Sequence, residues 1–152
     1  VHDVRKFLDV SFNQPGMLLH IGYPGLWLDQ LCEAGNEITV LEAVPNRITP
    51  YLTDPRVTRF VSGRIGDVQD VGQLFDYIWW WHGPEAFEHG DFVKILEKLK
   101  VKVRQQVVVF SGQREGPWRW VPTVQDFEDA GLETDEHGSP DWPDWQIVGW
   151  TP

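Results

Sequence analysis

A single cysteine, Cys32, stands in 152 residues, so no internal disulfide can form and a reducing compartment is expected. Cys32 falls beside Leu31 on an apolar helical stripe, which makes a buried core thiol the expectation. No apolar run approaches the roughly 20 residues that span a bilayer, and no signal-peptide pattern opens the sequence. The reading is therefore cytoplasmic, with no membrane partner. Positive charge is also scarce: 13 basic residues against 23 acidic ones give a net charge of -10, which repels nucleic-acid backbones unless the cations gather in one patch. The densest basic run, Lys94 to Arg104, is spread along the polar side of a predicted helix, so no nucleic-acid partner is expected. His20, His82, His89 and His137 show no metal-ligand spacing, and no second cysteine supports a zinc site. The acidity favours a small or cationic ligand.

The stretch from Met17 to Glu42 carries most of the functional signal. Met17 to Ile21 is a short apolar run ending at Gly22, and Gly25 follows a Tyr23-Pro24 corner, the pattern of a buried strand that turns sharply. The period then changes. Trp27, Leu28, Leu31 and Cys32 lie at helical spacing, and Gly35-Asn36 stops the helix because both residues tolerate the left-handed conformation. Ile38 to Leu41 resumes a strand. Glu42 closes it roughly twenty residues after Gly22, the offset at which a nucleotide-binding βαβ unit sets an acid on a ribose hydroxyl. The full G-x-G-x-x-G pattern is not present, and Pro24 removes one N–H, so the turn suits a nucleoside without a phosphate on it better than a pyrophosphate. An ordinary βαβ unit with a glycine-rich turn explains the same residues and stays open as the alternative.

Val4, Phe7, Leu8 and Phe12 predict a short packing helix before Asn13-Gln14-Pro15-Gly16 breaks it. Val57 to Val61 reads as a third strand, followed by a glycine-marked loop from Ser62 to Asp67. Leu74 to Trp81 predicts a strand buried on both faces. Asp91 is the expected cap of a helix whose Phe92, Ile95, Leu96 and Leu99 repeat at helical spacing. Gln106 to Phe110 is another near-continuous apolar strand. Thr123 to Asp126 opens a helix as a capping box, and Gly131 stops it. Leu132 to His137 and Trp145 to Trp150 are expected to pair as antiparallel strands, with Trp142 and Trp145 sealing the hairpin. The 152 residues are sized for one domain, an α/β sandwich with a mostly parallel sheet.

In this order, LLHIGYPG, VLEAVP, FVSGRIGDV, FDYIWWWHGPE, VVVFSG, DFEDAGLET and WQIVGW, the chain resembles the class I S-adenosylmethionine-dependent methyltransferases over nearly its whole length. The resemblance implies a three-layer sandwich around a seven-stranded, mostly parallel sheet with an antiparallel C-terminal strand. It also implies S-adenosylmethionine as cofactor, bound at the carboxyl ends of the first strands. By position, Gly22, Tyr23 and Gly25 would border the methionine part and Glu42 would hold the ribose hydroxyls, with His20 and Ala43 also counted among the cofactor-binding residues. Arg64 and Ile65 would lie near the adenine. Trp81 and His82 would face the sulfonium and the substrate. The family usually has an acid where His20 stands and a longer glycine loop, and it often has an acid where Arg64 stands.

Methyl transfer from a sulfonium needs an in-line nucleophile and little else, so positioning can supply most of the catalysis. His82 is the candidate general base, since imidazole titrates near neutrality; a histidine bonded to neighbouring backbone is the plainer alternative. Glu85 could orient His82 or recognise a cationic substrate, or simply complement a helix dipole. Nine tryptophans invite an aromatic cage from Trp80, Trp81, Trp118 and Trp120. Trp79 is expected in the core, and Trp118 and Trp120, in a loop, are the stronger cage candidates for the acceptor. The functional expectation is a methyltransferase acting on a small molecule. The alternative is a methyltransferase-like binding or scaffold module without catalysis, compatible with a homodimer through exposed tryptophans. A nicotinamide-dependent oxidoreductase fits less well, because the phosphate turn is wrong and the terminal hairpin has no place in it.

Overall fold

The computed structural model describes residues 14–22, 28–42, 55, 57–63, 68, 71–81, 87–111, 122–137 and 146–152. Among them, strand β1 (Met17–Ile21) leads to helix α1 (Leu28–Glu33), β2 (Glu37–Glu42), β3 (Val57–Ser62) and β4 (Phe75–Trp81). A 3-10 turn (His89–Asp91) feeds α2 (Phe92–Lys100), followed by β5 (Val103–Ser111), α3 (Val124–Asp129), β6 (Glu133–His137) and β7 (Gln146–Trp150). The strands form one seven-stranded sheet in the order β3-β2-β1-β4-β5-β7-β6. The first five are parallel, and β7 lies antiparallel between β5 and β6. This is the sheet the sequence leads one to expect, including the pairing of the last two strands.

Parallel strands covered on both faces must be apolar on both, and β4 shows it: Tyr77, Ile78, Trp79 and Trp80 are all buried. Alternation sends Leu19, Ile21, Leu41, Ile78, Trp80, Val107 and Val109 into one cluster with Phe92, Ile95, Leu96 and Leu99 of α2 and Phe127 of α3. Within it Phe92 stacks on Phe127 at 5.4 Å and on Trp80 at 5.9 Å. Such pairs add about 0.5–1.5 kcal/mol each beyond their buried area. The opposite face gathers Leu18, Ile38, Val40, Tyr77, Trp79, Val108 and Phe110 against Leu31 of α1, with Cys32 half-buried at its margin. Helices thus cover both faces, which gives three layers.

The local signals act as expected at α1 and α3. Gly35 takes a φ of 99°, and Asn36 donates from Nδ2 to the Leu31 carbonyl while its Oδ1 accepts from Gly16 N–H, closing α1 and fixing the entry to β1. Thr123 and Asp126 form a reciprocal capping box on α3. Asp91 behaves differently from the expectation. The 3-10 turn draws it into the helical region, with φ -89° and ψ -16°, and its side chain caps nothing. The predicted helix of residues 4–12 and the roles given to Trp142 and Trp145 fall outside the described residues. Among the described residues no helix is long and apolar enough to cross a membrane.

Candidate functional site

The strand order reverses between β1 and β4: β2 and β3 lie on one side, β5 on the other. In an open parallel sheet the loops on either side of such a switch point diverge, leaving a crevice outside the carboxyl ends of the strands. Register brings particular residues to that edge. Ile21 pairs with Leu41 on one side and Trp80 on the other, so Gly22, Glu42 and Trp81 are the next residues along three adjacent strands.

Gly22 turns the chain out of β1 with a φ of 94°, a conformation that costs a side-chain-bearing residue but not glycine. Its N–H donates to the Leu41 carbonyl at 2.9 Å, and the N–H of Gly63 donates to the Glu42 carbonyl at 3.2 Å, so the parallel ladders run on to the rim of the crevice. Glu42 is only 6% exposed. A carboxyl group beside a left-handed glycine turn offers oxygen acceptors where backbone permits close approach, which suits a ligand carrying paired hydroxyl donors.

His20 is fully buried, on the Trp79 face of the sheet, with the two rings 6.4 Å apart. Its Nδ1 lies 3.1 Å from the Gly22 carbonyl oxygen. Burial pulls its pKa from 6.5 down to about 4, partly offset by that carbonyl, so the imidazole is neutral at physiological pH.

Of the residues singled out from sequence, Gly22, Glu42 and Trp81, the last residue of β4, stand at neighbouring strand ends on the carboxyl edge of the sheet, and His20 is buried in β1 two residues before Gly22. Tyr23, Gly25, Ala43, Arg64, Ile65, His82, Glu85, Trp118 and Trp120 lie outside the described residues. Trp80 is a correction: it is 1% exposed and stacked on Phe92, because alternation turns it into the core, so it forms no wall of an aromatic cage. Sequence reading missed two features near this edge. Ser111, the last residue of β5, is fully buried. His89 Nε2 and Asp126 Oδ1 lie 2.9 Å apart, joining the turn before α2 to the first turn of α3. Burial opposes the Asp126 charge, but hydrogen bonds from the Thr123 N–H and hydroxyl and from His89 outweigh it and hold the carboxyl below its ordinary value. Among the described residues no group of three or more His, Cys, Asp or Glu could hold a metal ion.

No family model matches the chain, and no curated protein matches it in sequence. Solved structures match it in fold. A 1,6-didemethyltoxoflavin-N1-methyltransferase from Burkholderia thailandensis, with bound 1,6-didemethyltoxoflavin and S-adenosylhomocysteine, superposes with a TM-score of 0.69 at 16% identity, over 97% of this chain and 73% of that one. TehB from Haemophilus influenzae gives 0.73 at 12% identity over 99% of this chain, which spans only 61% of TehB. The magnesium protoporphyrin IX methyltransferase of Synechocystis, with bound S-adenosylhomocysteine, gives 0.68 at 12% identity over 97% of this chain and 78% of that one. The fold is that of the class I S-adenosylmethionine-dependent methyltransferases.

Proposed function

We propose that the protein is an S-adenosylmethionine-dependent methyltransferase acting on a small-molecule acceptor. The observation that carries this reading is the pairing at the switch point: the left-handed Gly22 turn and, one ladder bond away, the buried Glu42 carboxyl. The pair suits a nucleoside whose ribose diol donates to Glu42 while the methionine part runs past the Gly22 turn. Two neighbours of the same fold hold S-adenosylhomocysteine, and their names give small molecules as acceptors. When bound, the cofactor supplies an electrophilic methyl group on a sulfonium.

The chain's own contribution is positional. Tyr23 and Gly25 complete the surroundings of the methionine part, with His20 buried behind Gly22, and Ala43, Arg64 and Ile65 complete those of the adenosine. Trp81 faces the reacting centre, with His82 as the base that takes the acceptor's proton and Glu85 orienting it. Trp118 and Trp120 stack on the acceptor.

The test is equilibrium binding of S-adenosylmethionine and S-adenosylhomocysteine, followed by incubation with methyl-tritiated cofactor and pooled small-molecule acceptors. Micromolar binding and labelled product are expected. A folded protein that binds neither ligand would contradict the reading. The shortened turn, with Pro24 lacking an N–H, favours one second reading, a non-catalytic binding or scaffold module that forms homodimers. It predicts ligand binding or dimer formation with no label transferred.

A further inference from the structure

We propose that His20 is a positioning residue: a neutral imidazole protonated on Nδ1, which clamps the Gly22 carbonyl and so sets the shape of the turn against the methionine part of the cofactor. The inference rests on the reading of the crevice given above.

A carbonyl oxygen only accepts hydrogen bonds, so the nitrogen 3.1 Å from the Gly22 oxygen must carry the hydrogen. A neutral ring has one N–H, which leaves Nε2 as an acceptor and fixes the tautomer. Full burial keeps the ring neutral, as its depressed pKa reflects. Gly22 is thereby held from two directions. Its N–H is tied to Leu41 of β2 at 2.9 Å, and its carbonyl is tied back to the side chain two residues before it. With φ at 94° this residue sits in a region that glycine reaches freely and leaves as freely, so its geometry comes from its bonding partners rather than from sterics. His20 itself is closed off from solvent and acts on a ligand only through the turn.

Asparagine keeps a donor close to the position of Nδ1, and leucine removes it without adding charge. Two variants therefore separate donation from bulk: His20→Asn and His20→Leu.

The experiment titrates S-adenosylhomocysteine and adenosine into the wild type and each variant and records the long-range proton-nitrogen spectrum of the wild-type histidines at pH 7. Adenosine lacks the methionine part, so it reads Glu42 without the turn. The expected outcome is a His20 signal with Nδ1 protonated. His20→Asn should bind both ligands within about threefold of wild type. His20→Leu should bind S-adenosylhomocysteine about tenfold or more weakly while adenosine changes less than about threefold.

An Nε2-protonated signal would overturn the clamp directly, whatever the ligand results. Equal losses for both ligands in His20→Leu, or no loss for either, would overturn the positioning role. Failure of wild type to bind S-adenosylhomocysteine would instead overturn the cofactor reading, and the ligand part of this inference with it.

Discussion

The N–H of Gly22 donates to the carbonyl of Leu41 at 2.9 Å, so the residue at which β1 turns is tied to the residue just before Glu42. This contact makes the turn and the carboxyl one unit. Its geometry depends on residue 22 having no side chain, since its φ is 94°. Gly22→Ala should cost about 1–3 kcal/mol of stability and weaken S-adenosylhomocysteine binding. Urea denaturation checks the first effect, and an unchanged midpoint would show that the turn does not need glycine.

A second glycine matters for space rather than torsion. Gly149 in β7 packs beneath α3, and a Cβ there would lie 2.5 Å from Cδ2 of Phe127 and 3.0 Å from Cδ1 of Leu132. The Phe127 ring is itself fully buried and stacked on Phe92. Gly149→Ala should therefore destabilise by about 1–3 kcal/mol despite alanine's better strand propensity. A urea midpoint at or above that of wild type would contradict the packing described here.

His20 links stability to pH, and the sign follows from its depressed pKa. From 6.5 down to about 4 the unfolded chain takes up a proton that the folded protein refuses, so stability falls as the pH falls through that window. At about 1.36 kcal/mol per pH unit the full loss is roughly 3 kcal/mol, complete near pH 4. Asp126, with its carboxyl held low, also loses stabilisation in acid, but in wild type and variant alike. The stability difference between wild type and His20→Asn should therefore shift against the wild type between pH 7 and pH 4.5. Parallel pH curves for the two proteins would show that His20 is not buried neutral.

Much of this architecture is legible in the residues because it follows from short-range chemistry. The apolar run Met17–Ile21, the glycine stop at Gly35 and the Thr123 to Asp126 capping box each need only a few neighbouring residues to act. β5 runs from Val103, earlier than its apolar stretch, because ladder bonds to β4 extend it past the point where burial ends. Asp91 is misleading for a related reason: the 3-10 turn before it changes its backbone, and a cap requires an extended one. The offset from Gly22 to Glu42 is visible in sequence as strand, helix, strand. The clamp on the Gly22 carbonyl is not, because it depends on which way one peptide faces. The His89 to Asp126 pair joins residues 37 apart and has no local signal at all.

The most direct measurement is calorimetric titration of S-adenosylhomocysteine into the wild type and into Glu42→Ala. If Glu42 holds the ribose hydroxyls, wild type binds in the micromolar range and the variant at least tenfold more weakly, a loss of about 1.4 kcal/mol. Wild-type affinity in a folded Glu42→Ala, or no binding to the wild type, would contradict the account.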